Sequence, residues 1–149
     1  MDHPSPSRLD EACIFCRIVT GKAPASIVAE TARAVAFMDV NQPTPGHVLV
    51  VPRDHLMYLY DLDAETGAEV FRLTTDVARA VKRALKPDGM NLIQANEPAG
   101  QQDVFHFHMH IVARYVGDRD RIRFGWRTEL PPRSELDNLA RTIQSAMPE

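Results

Sequence analysis

The sequence predicts an α+β domain whose sheet is mostly antiparallel and is accompanied by one long helix and a C-terminal helix. Short strand-like runs crowd the middle of the chain, and short turns join most of them. This favours antiparallel pairing because parallel strands need long crossover connections. The 149 residues suffice for one domain, which we expect to span 11–149 after a disordered tail, rich in proline and serine, at 1–10.

The elements of the first half follow from apolar runs and turn residues. An apolar turn with a Cys-x-x-Cys motif covers 13–18, and short strands are predicted near 26–29 and 34–39. The turn cluster at 41–46 leads into a strong β-branched strand at 47–51, which a proline stops.

Two helices are predicted from caps and helical spacing. The long helix runs from Asp63, an N-cap residue, to about Lys86. The second helix begins at Ser134, where Asp137 completes a capping-box pattern. The buried stripe of the first comprises Val70, Leu73, Val77, Val81 and Leu85, and that of the second Leu136, Leu139, Ala140 and Ile143.

Between the two helices the chain alternates strands with polar segments. We predict a strand at 91–95, a loop at 96–101 and a histidine-rich strand at 104–115. The polar stretch at 117–132 is expected to be irregular.

Composition and charge exclude several classes of function. A hydrophobic content of 44% and a charged content of 25% are ordinary for a globular domain. The net charge of −3 gives no reason to expect nucleic-acid binding, and no stretch approaches the roughly 20 apolar residues of a membrane helix. Two cysteines are too few for a disulfide scaffold and suit a reducing compartment, so we expect a cytoplasmic protein.

Three of the six histidines, His106, His108 and His110, stand at strict two-residue spacing. On a strand this spacing places three imidazoles on one face, opposite an apolar face. The row could hold a catalytic metal, its middle histidine could be a nucleophile or general base, or it could be a solvated or packed strand face. We interpret it as an active-site strand because the alternate residues are apolar. These are Phe105, Phe107, Met109 and Ile111.

The Cys-x-x-Cys motif is half of a tetrahedral zinc site. Two more ligands must come from elsewhere, and the candidates are His47, His55 and a member of the histidine row. The alternative is a pair of buried, inert thiols. A redox pair is disfavoured because no βαβ unit follows the motif.

Other polar residues lie close to this chemistry along the chain, although each alone is more often a turn or surface residue. No phosphate-binding loop of the GxxxxGK[ST] or GxGxxG type is present in the sequence. Phosphate would therefore have to be held by histidines and loop N–H groups. The additional candidates are His47, Asp39, Asn96, Gln102 and Asp103.

The segment 106–112 resembles the histidine triad motif, and the similarity extends from about Cys13 to Tyr115. Four further blocks resemble that family's other blocks in the same order, which makes the resemblance much more specific than an isolated HxHxH. They are Cys-Ile-Phe-Cys-Arg-Ile at 13–18, Phe-Met-Asp-Val at 37–40, the segment 45–55, and Gln-Asp-Val-Phe at 102–105.

The resemblance implies a nucleotide-binding hydrolase or transferase that forms a homodimer by joining its sheets. His108 would attack the α-phosphate of a purine phosphoramidate or a dinucleoside polyphosphate, giving a nucleotidyl-histidine intermediate that water resolves. His110 would bind the phosphate and assist the leaving group, and His47 would flank the site. The alternative is a nucleotide- or partner-binding module of the same fold with little catalysis.

The resemblance also implies the pocket residues. Asp39 would accept hydrogen bonds from the ribose hydroxyls, and Phe15, Phe37 and Leu49 would line the base pocket. Asn96, Gln102 and the backbone of Asp103 and Val104 would cradle phosphate or leaving group. Asp103 departs from the family pattern, because the family often has a small hydroxyl residue at this position. A carboxylate at this position could favour an amine leaving group over a phosphate.

The Cys-x-x-Cys motif resembles the zinc-bearing branch of this family. The four ligands would here be Cys13, Cys16, His55 and His106. Two thiolates and two imidazoles make a closed site, so the zinc would be structural and catalysis would fall to His108 and His110.

Overall fold

The computed structural model describes residues 9–149, so the tail expected at 1–10 lies outside the described residues except for its exposed last two. Over the described residues, none of the helices is both long and apolar enough to cross a membrane. Short 3-10 turns cover Leu59–Asp61, Pro98–Gly100 and Asp118–Asp120. The helices and strands are α1 (Ile14–Val19), β1 (Ile27–Glu30), β2 (Ala34–Met38), β3 (Val48–Pro52), α2 (Ala64–Leu85), β4 (Gly89–Gln94), β5 (Met109–Arg114) and α3 (Arg133–Ser145).

The strands form one antiparallel sheet in the order β1-β2-β3-β5-β4. This confirms the predicted α+β fold with a mostly antiparallel sheet. Register places Phe37 of β2 opposite Leu49 of β3, and Leu49 opposite His110 of β5. The last histidine of the row is therefore the cross-strand neighbour of Leu49, and Phe37 lies one strand further along the same row; both residues are predicted to line a pocket.

Helix α2 covers one face of this sheet. Asp63 caps it by accepting a hydrogen bond from the Thr66 N–H at 2.8 Å, and Lys86 ends it with a φ of 49°. Leu85 is 46% exposed, so the buried stripe ends one turn earlier than predicted, at Val81. The stripe residues Val70, Leu73, Val77 and Val81 pack against a core that includes Ala36, Val50 and Ile111.

The opposite face of the sheet carries α1. Because strand side chains alternate between faces, the residues next to those under α2 point the other way. Phe15 of α1 packs there against Val35, Phe37, Leu49 and Val51. The side chains that point to this second face therefore surround the histidine row.

Two elements around the predicted site differ from expectation. The Cys-x-x-Cys motif begins a helix rather than forming a turn, with Cys13 as its N-cap. The histidine strand begins at Met109, later than predicted, because the preceding segment bonds outside the sheet: the Phe107 N–H donates to the Leu56 carbonyl at 2.7 Å. Phe107 is buried as expected, but Phe105 is 40% exposed.

Helix α3 also departs from the prediction. It begins at Arg133 after Pro132, and no side chain caps it, so Ser134 already lies in the first turn and the predicted capping box is not formed. Its apolar stripe is not buried: Leu136, Leu139 and Ile143 are 40%, 53% and 65% exposed. The stripe therefore has helical spacing but no partner among the described residues.

Candidate active site

A cavity of about 680 Å³ opens on the α1 face of the sheet. The Phe15 and Phe37 rings meet edge to face, with centroids 5.5 Å apart, and form part of its apolar wall. The structure brings most of the predicted site residues to this cavity. They are Phe15, Phe37, Asp39, Leu49, Asp103, Val104, His108 and His110.

His108 is held in one orientation at the cavity. Its Nδ1 lies 2.8 Å from the backbone carbonyl of His106, and a carbonyl can only accept, so Nδ1 carries the proton. The ring is buried and meets the edge of Phe15 at 5.2 Å between centroids. The other nitrogen, Nε2, faces the cavity and lies 3.2 Å from Asp103 Oδ1; a carboxylate oxygen also only accepts, so a hydrogen bond across this contact needs a second ring proton on Nε2.

His110 and His47 form a second imidazole pair beside His108. His47 Nε2 lies 2.9 Å from His110 Nδ1, while His47 Nδ1 is 3.2 Å from the Asn41 carbonyl and 3.7 Å from Asp39 Oδ2. Burial, together with the charges of His108 and His47, lowers the pKa of His110 to about 4. His110 is therefore a neutral imidazole near pH 7, fixed by its neighbour.

Two groups of described residues are close enough to hold a metal ion. In the group of Asp39, His47 and His110, the two nitrogens of His47 face different partners, so hydrogen bonding accounts for the arrangement. The histidine row itself is divided. His106 turns toward the two cysteines, whereas His108 and His110 face the cavity.

The second group is the cluster of Cys13, Cys16, His55 and His106. The Sγ atoms of Cys13 and Cys16 each lie 3.5 Å from His106 Nδ1, and Cys16 Sγ lies 3.3 Å from His55 Nδ1. The two imidazole nitrogens are 3.3 Å apart. Tetrahedral zinc separates a sulfur from a nitrogen ligand by about 3.5 Å and two nitrogens by about 3.3 Å. The cluster therefore fits a zinc ion.

The surroundings of the cluster also suit a metal. The outer nitrogen of His106, Nε2, donates to the Pro52 carbonyl at 2.8 Å, which leaves Nδ1 unprotonated toward the cysteines. Burial lowers the pKa of His106 to about 4, so the ring is neutral, as a ligand must be. Burial also raises the pKa of the Cys16 thiol to about 11, and a cation would be needed to hold the thiolate there.

Asn96 and Gln102 do not line the cavity. The Gln102 side-chain amide donates to the Met57 and Val104 carbonyls at 2.8 and 3.0 Å, and its oxygen accepts from the Glu97 N–H. Asn96 accepts from the Leu59 N–H at 2.7 Å. These contacts shape the loop that leads to His108, and a direct contact with nucleotide stays a prediction.

Sequence reasoning missed one wall of the cavity. Ile14 and Ile18 line it one helical turn apart, which a helical interpretation of the Cys-x-x-Cys segment would have indicated. Asn41, in the turn after β2, was also missed. No periodicity marks the remaining wall residues, Pro24, Ala25, Ser26, Met38 and Val40.

Comparison with known proteins identifies the family. The HIT domain family model matches residues 20–117. The chain belongs to the HIT domain family. The Bacillus subtilis protein Hit is 36% identical to this HIT protein over 135 residues, covering 89% of this chain and 92% of the relative. The adenosine 5'-monophosphoramidase of Schizosaccharomyces pombe is 32% identical over 134 residues, covering 90% and 97%.

Solved structures agree with this assignment. A HIT family protein from Bacillus anthracis superposes with a TM-score of 0.88 at 34% identity, covering 93% of this chain and 99% of that one. A zinc-bound histidine triad family protein from Mycobacterium smegmatis has a TM-score of 0.68 at 35% identity, covering 91% and 98%.

Proposed function

We propose that this HIT protein is a nucleotidyl hydrolase or transferase that cleaves a purine phosphoramidate or a dinucleoside polyphosphate at the α-phosphate, with His108 as nucleophile. The orientation of His108 carries the proposal. Its Nδ1 N–H donates to the His106 carbonyl at 2.8 Å, so Nε2 is the nitrogen at the cavity, and its lone pair attacks in the neutral ring, when no proton lies between it and Asp103. The similarity to two fungal adenosine 5'-monophosphoramidases supports a substrate with a P–N bond.

The proposed reaction has two displacements. The Nε2 lone pair of His108 forms a bond to phosphorus as the bond to the leaving group breaks. The leaving group departs with that electron pair and takes up a proton from water. Water then attacks phosphorus, the N–P bond breaks, and the nucleoside monophosphate leaves while His108 recovers its lone pair.

Neighbouring residues have supporting roles in this proposal. His110 binds a phosphate oxygen and assists the leaving group, and His47 fixes it through the 2.9 Å contact. Asp39 accepts from the ribose hydroxyls, and the purine lies against Phe15, Phe37 and Leu49. The loop with Asn96, Gln102, Asp103 and Val104 cradles the phosphate or the leaving group.

We further propose that Cys13, Cys16, His55 and His106 hold a structural zinc ion. Four protein ligands fill a tetrahedral site, so the ion would supply a cross-link between α1 and the segment before β5. Such a cross-link would fix Phe15 against His108 and contribute on the order of 10 kcal/mol to folding.

The proposal includes a homodimer of single-domain chains, 11–149, in the cytoplasm. Strand β4 is an edge of the sheet, where the unpaired backbone groups can join those of a second copy. The half-exposed Leu92 of β4 supports a covered surface at this edge, and the unpacked stripe of α3 is a further apolar face that a second copy could cover.

The test is turnover of adenosine 5'-phosphoramidate and diadenosine tetraphosphate by the wild type and His108→Ala. We expect His108→Ala to lose at least about 1,000-fold in kcat/KM. His3→Ala, which removes a histidine outside the described residues, is the control. Rapid denaturation at alkaline pH and intact-mass measurement should trap a nucleotidyl adduct that maps to His108.

Two outcomes would contradict the proposal. Undiminished turnover by His108→Ala would refute the nucleophile assignment. Tight nucleotide binding without turnover of either substrate would instead favour the binding-module alternative.

A further inference from the structure

The carboxylate of Asp103 lies beside the nitrogen proposed to attack phosphorus. Asp103 Oδ1 is 3.2 Å from His108 Nε2, and it also accepts a hydrogen bond from the Val104 N–H at 2.9 Å. The Asp103 side chain is 77% exposed, so it can turn from His108 toward a bound molecule. A negative charge therefore lies at the reacting end of the cavity.

Along the described lining of the cavity, only the imidazoles of His108 and His110 can carry a positive charge. Among the described residues that line it, the charged ones are Asp39 and Asp103, and none is a lysine or arginine. Proteins that bind phosphate chains place arginine, lysine or a metal ion against them. Partial burial works against ionisation of Asp103, but the charge of His108 and the Val104 N–H hold the pKa of this carboxyl below its ordinary value.

We infer that Asp103 selects the leaving group by its charge, disfavouring anionic groups and favouring amines that carry a positive charge. This inference rests on the function proposed above. In an in-line displacement the leaving atom lies about 5 Å from the attacking nitrogen, within reach of the exposed Asp103 carboxylate. When the P–N bond breaks, the amine takes up protons from water and leaves as an ammonium ion. Asp103 can pair with that ion.

Three adenosine 5'-phosphoramidates that differ only in the charge of the leaving amine test the inference. They are made with 1,3-diaminopropane, propylamine and β-alanine, whose free ends are cationic, uncharged and anionic. A full charge within about 6 Å in a partly exposed site changes the rate for a charged group by about tenfold. The ratio of kcat/KM between the cationic and the anionic substrate is the readout.

We expect Asp103→Asn to lower this ratio about 100-fold and Asp103→Glu to retain most of it. Higher salt should reduce the ratio for the wild type because the charges are partly exposed. Asp120→Asn, which removes an exposed carboxylate paired with Arg123 outside the cavity lining, should leave the ratio unchanged. A wild-type ratio that persists in Asp103→Asn would overturn the inference, as would an equal loss on all three substrates.

A binding measurement separates this inference from the proposed function. If the wild type turns over none of the substrates, the proposed function fails, and the charge effect is judged from affinity alone. Isothermal titration should then show that Asp103→Asn increases the affinity for AMP relative to adenosine about tenfold. An unchanged AMP-to-adenosine ratio in Asp103→Asn would refute a selective role for Asp103.

Discussion

Replacing His110 with glutamine should make the protein more resistant to unfolding in mild acid relative to the wild type. Burial and the neighbouring imidazoles lower the pKa of His110 from 6.5 to about 4 in the folded protein. The unfolded chain therefore takes up a proton at this residue as the pH falls below about 6.5, while the folded chain does not. The stability contributed by the neutral ring is complete above the unfolded pKa and is lost as the pH falls toward about 4.

The expected magnitude follows from these two pKa values. A group that titrates near 6.5 in the unfolded chain and near 4 in the folded chain would lower the free energy of unfolding by at most about 3.4 kcal/mol on full acidification. Partial exposure of the ring reduces this, and we expect about 2 kcal/mol between pH 7.5 and pH 4.5. The variant His110→Gln lacks this pH-dependent loss of stability. The free energies of unfolding of the wild type and the variant should therefore converge or cross as the pH falls.

Urea unfolding at five pH values between 7.5 and 4.5 measures the difference. All samples contain the same zinc concentration, so that protonation of the cysteine–histidine cluster affects the variants equally. His3→Gln removes a different histidine, outside the described residues, and should follow the wild type. Parallel stability curves for wild type and His110→Gln, within about 0.5 kcal/mol, would refute the reasoning.

Three further predictions concern the core, the metal cluster and the dimer. The Phe107 side chain is 1% exposed, and Phe107→Ala should lower the free energy of unfolding in urea by about 3–5 kcal/mol. The Phe105 side chain is 40% exposed, and Phe105→Ala should lower it by less than about 1.5 kcal/mol. Equal losses in the two variants would contradict the assigned burial. Cys13→Ser combined with Cys16→Ser should abolish zinc binding by atomic emission and lower Tm by at least about 10 °C; full zinc occupancy would contradict the four-ligand cluster. Leu92→Glu on the β4 edge should convert a dimer into monomers by light scattering, and a dimer that persists would exclude that edge.

Local chemistry made the main elements predictable. The caps of α2 depend on Asp63 and Lys86, which act within one turn of the helix ends, and its stripe depends on spacing alone. The β-branched run of β3 likewise needs no information from distant residues. The six-residue α1 was missed because a single turn and a half has too little periodicity to be distinguished from a turn.

The start of β5 could not be predicted from its two-residue alternation. His106, Phe107 and His108 continue the pattern, yet the Phe107 N–H bonds to Leu56 and His108 bonds to the carbonyl of His106. These partners replace ladder bonds to a neighbouring strand. Alternation describes where side chains point but not which backbone groups pair.

The sequence by itself determined that three imidazoles share one short extended segment with an apolar counterpart, because side-chain alternation is a local property of the backbone. The division of labour within that segment was decided by tertiary structure. His106 meets Cys16 across 90 residues of chain, and His110 meets His47 across 63, and such contacts exist only when the sheet and α1 have assembled. The approach of Asp103 to His108 is closer in sequence, but it depends on the bend before β5, which long-range backbone bonds hold in place.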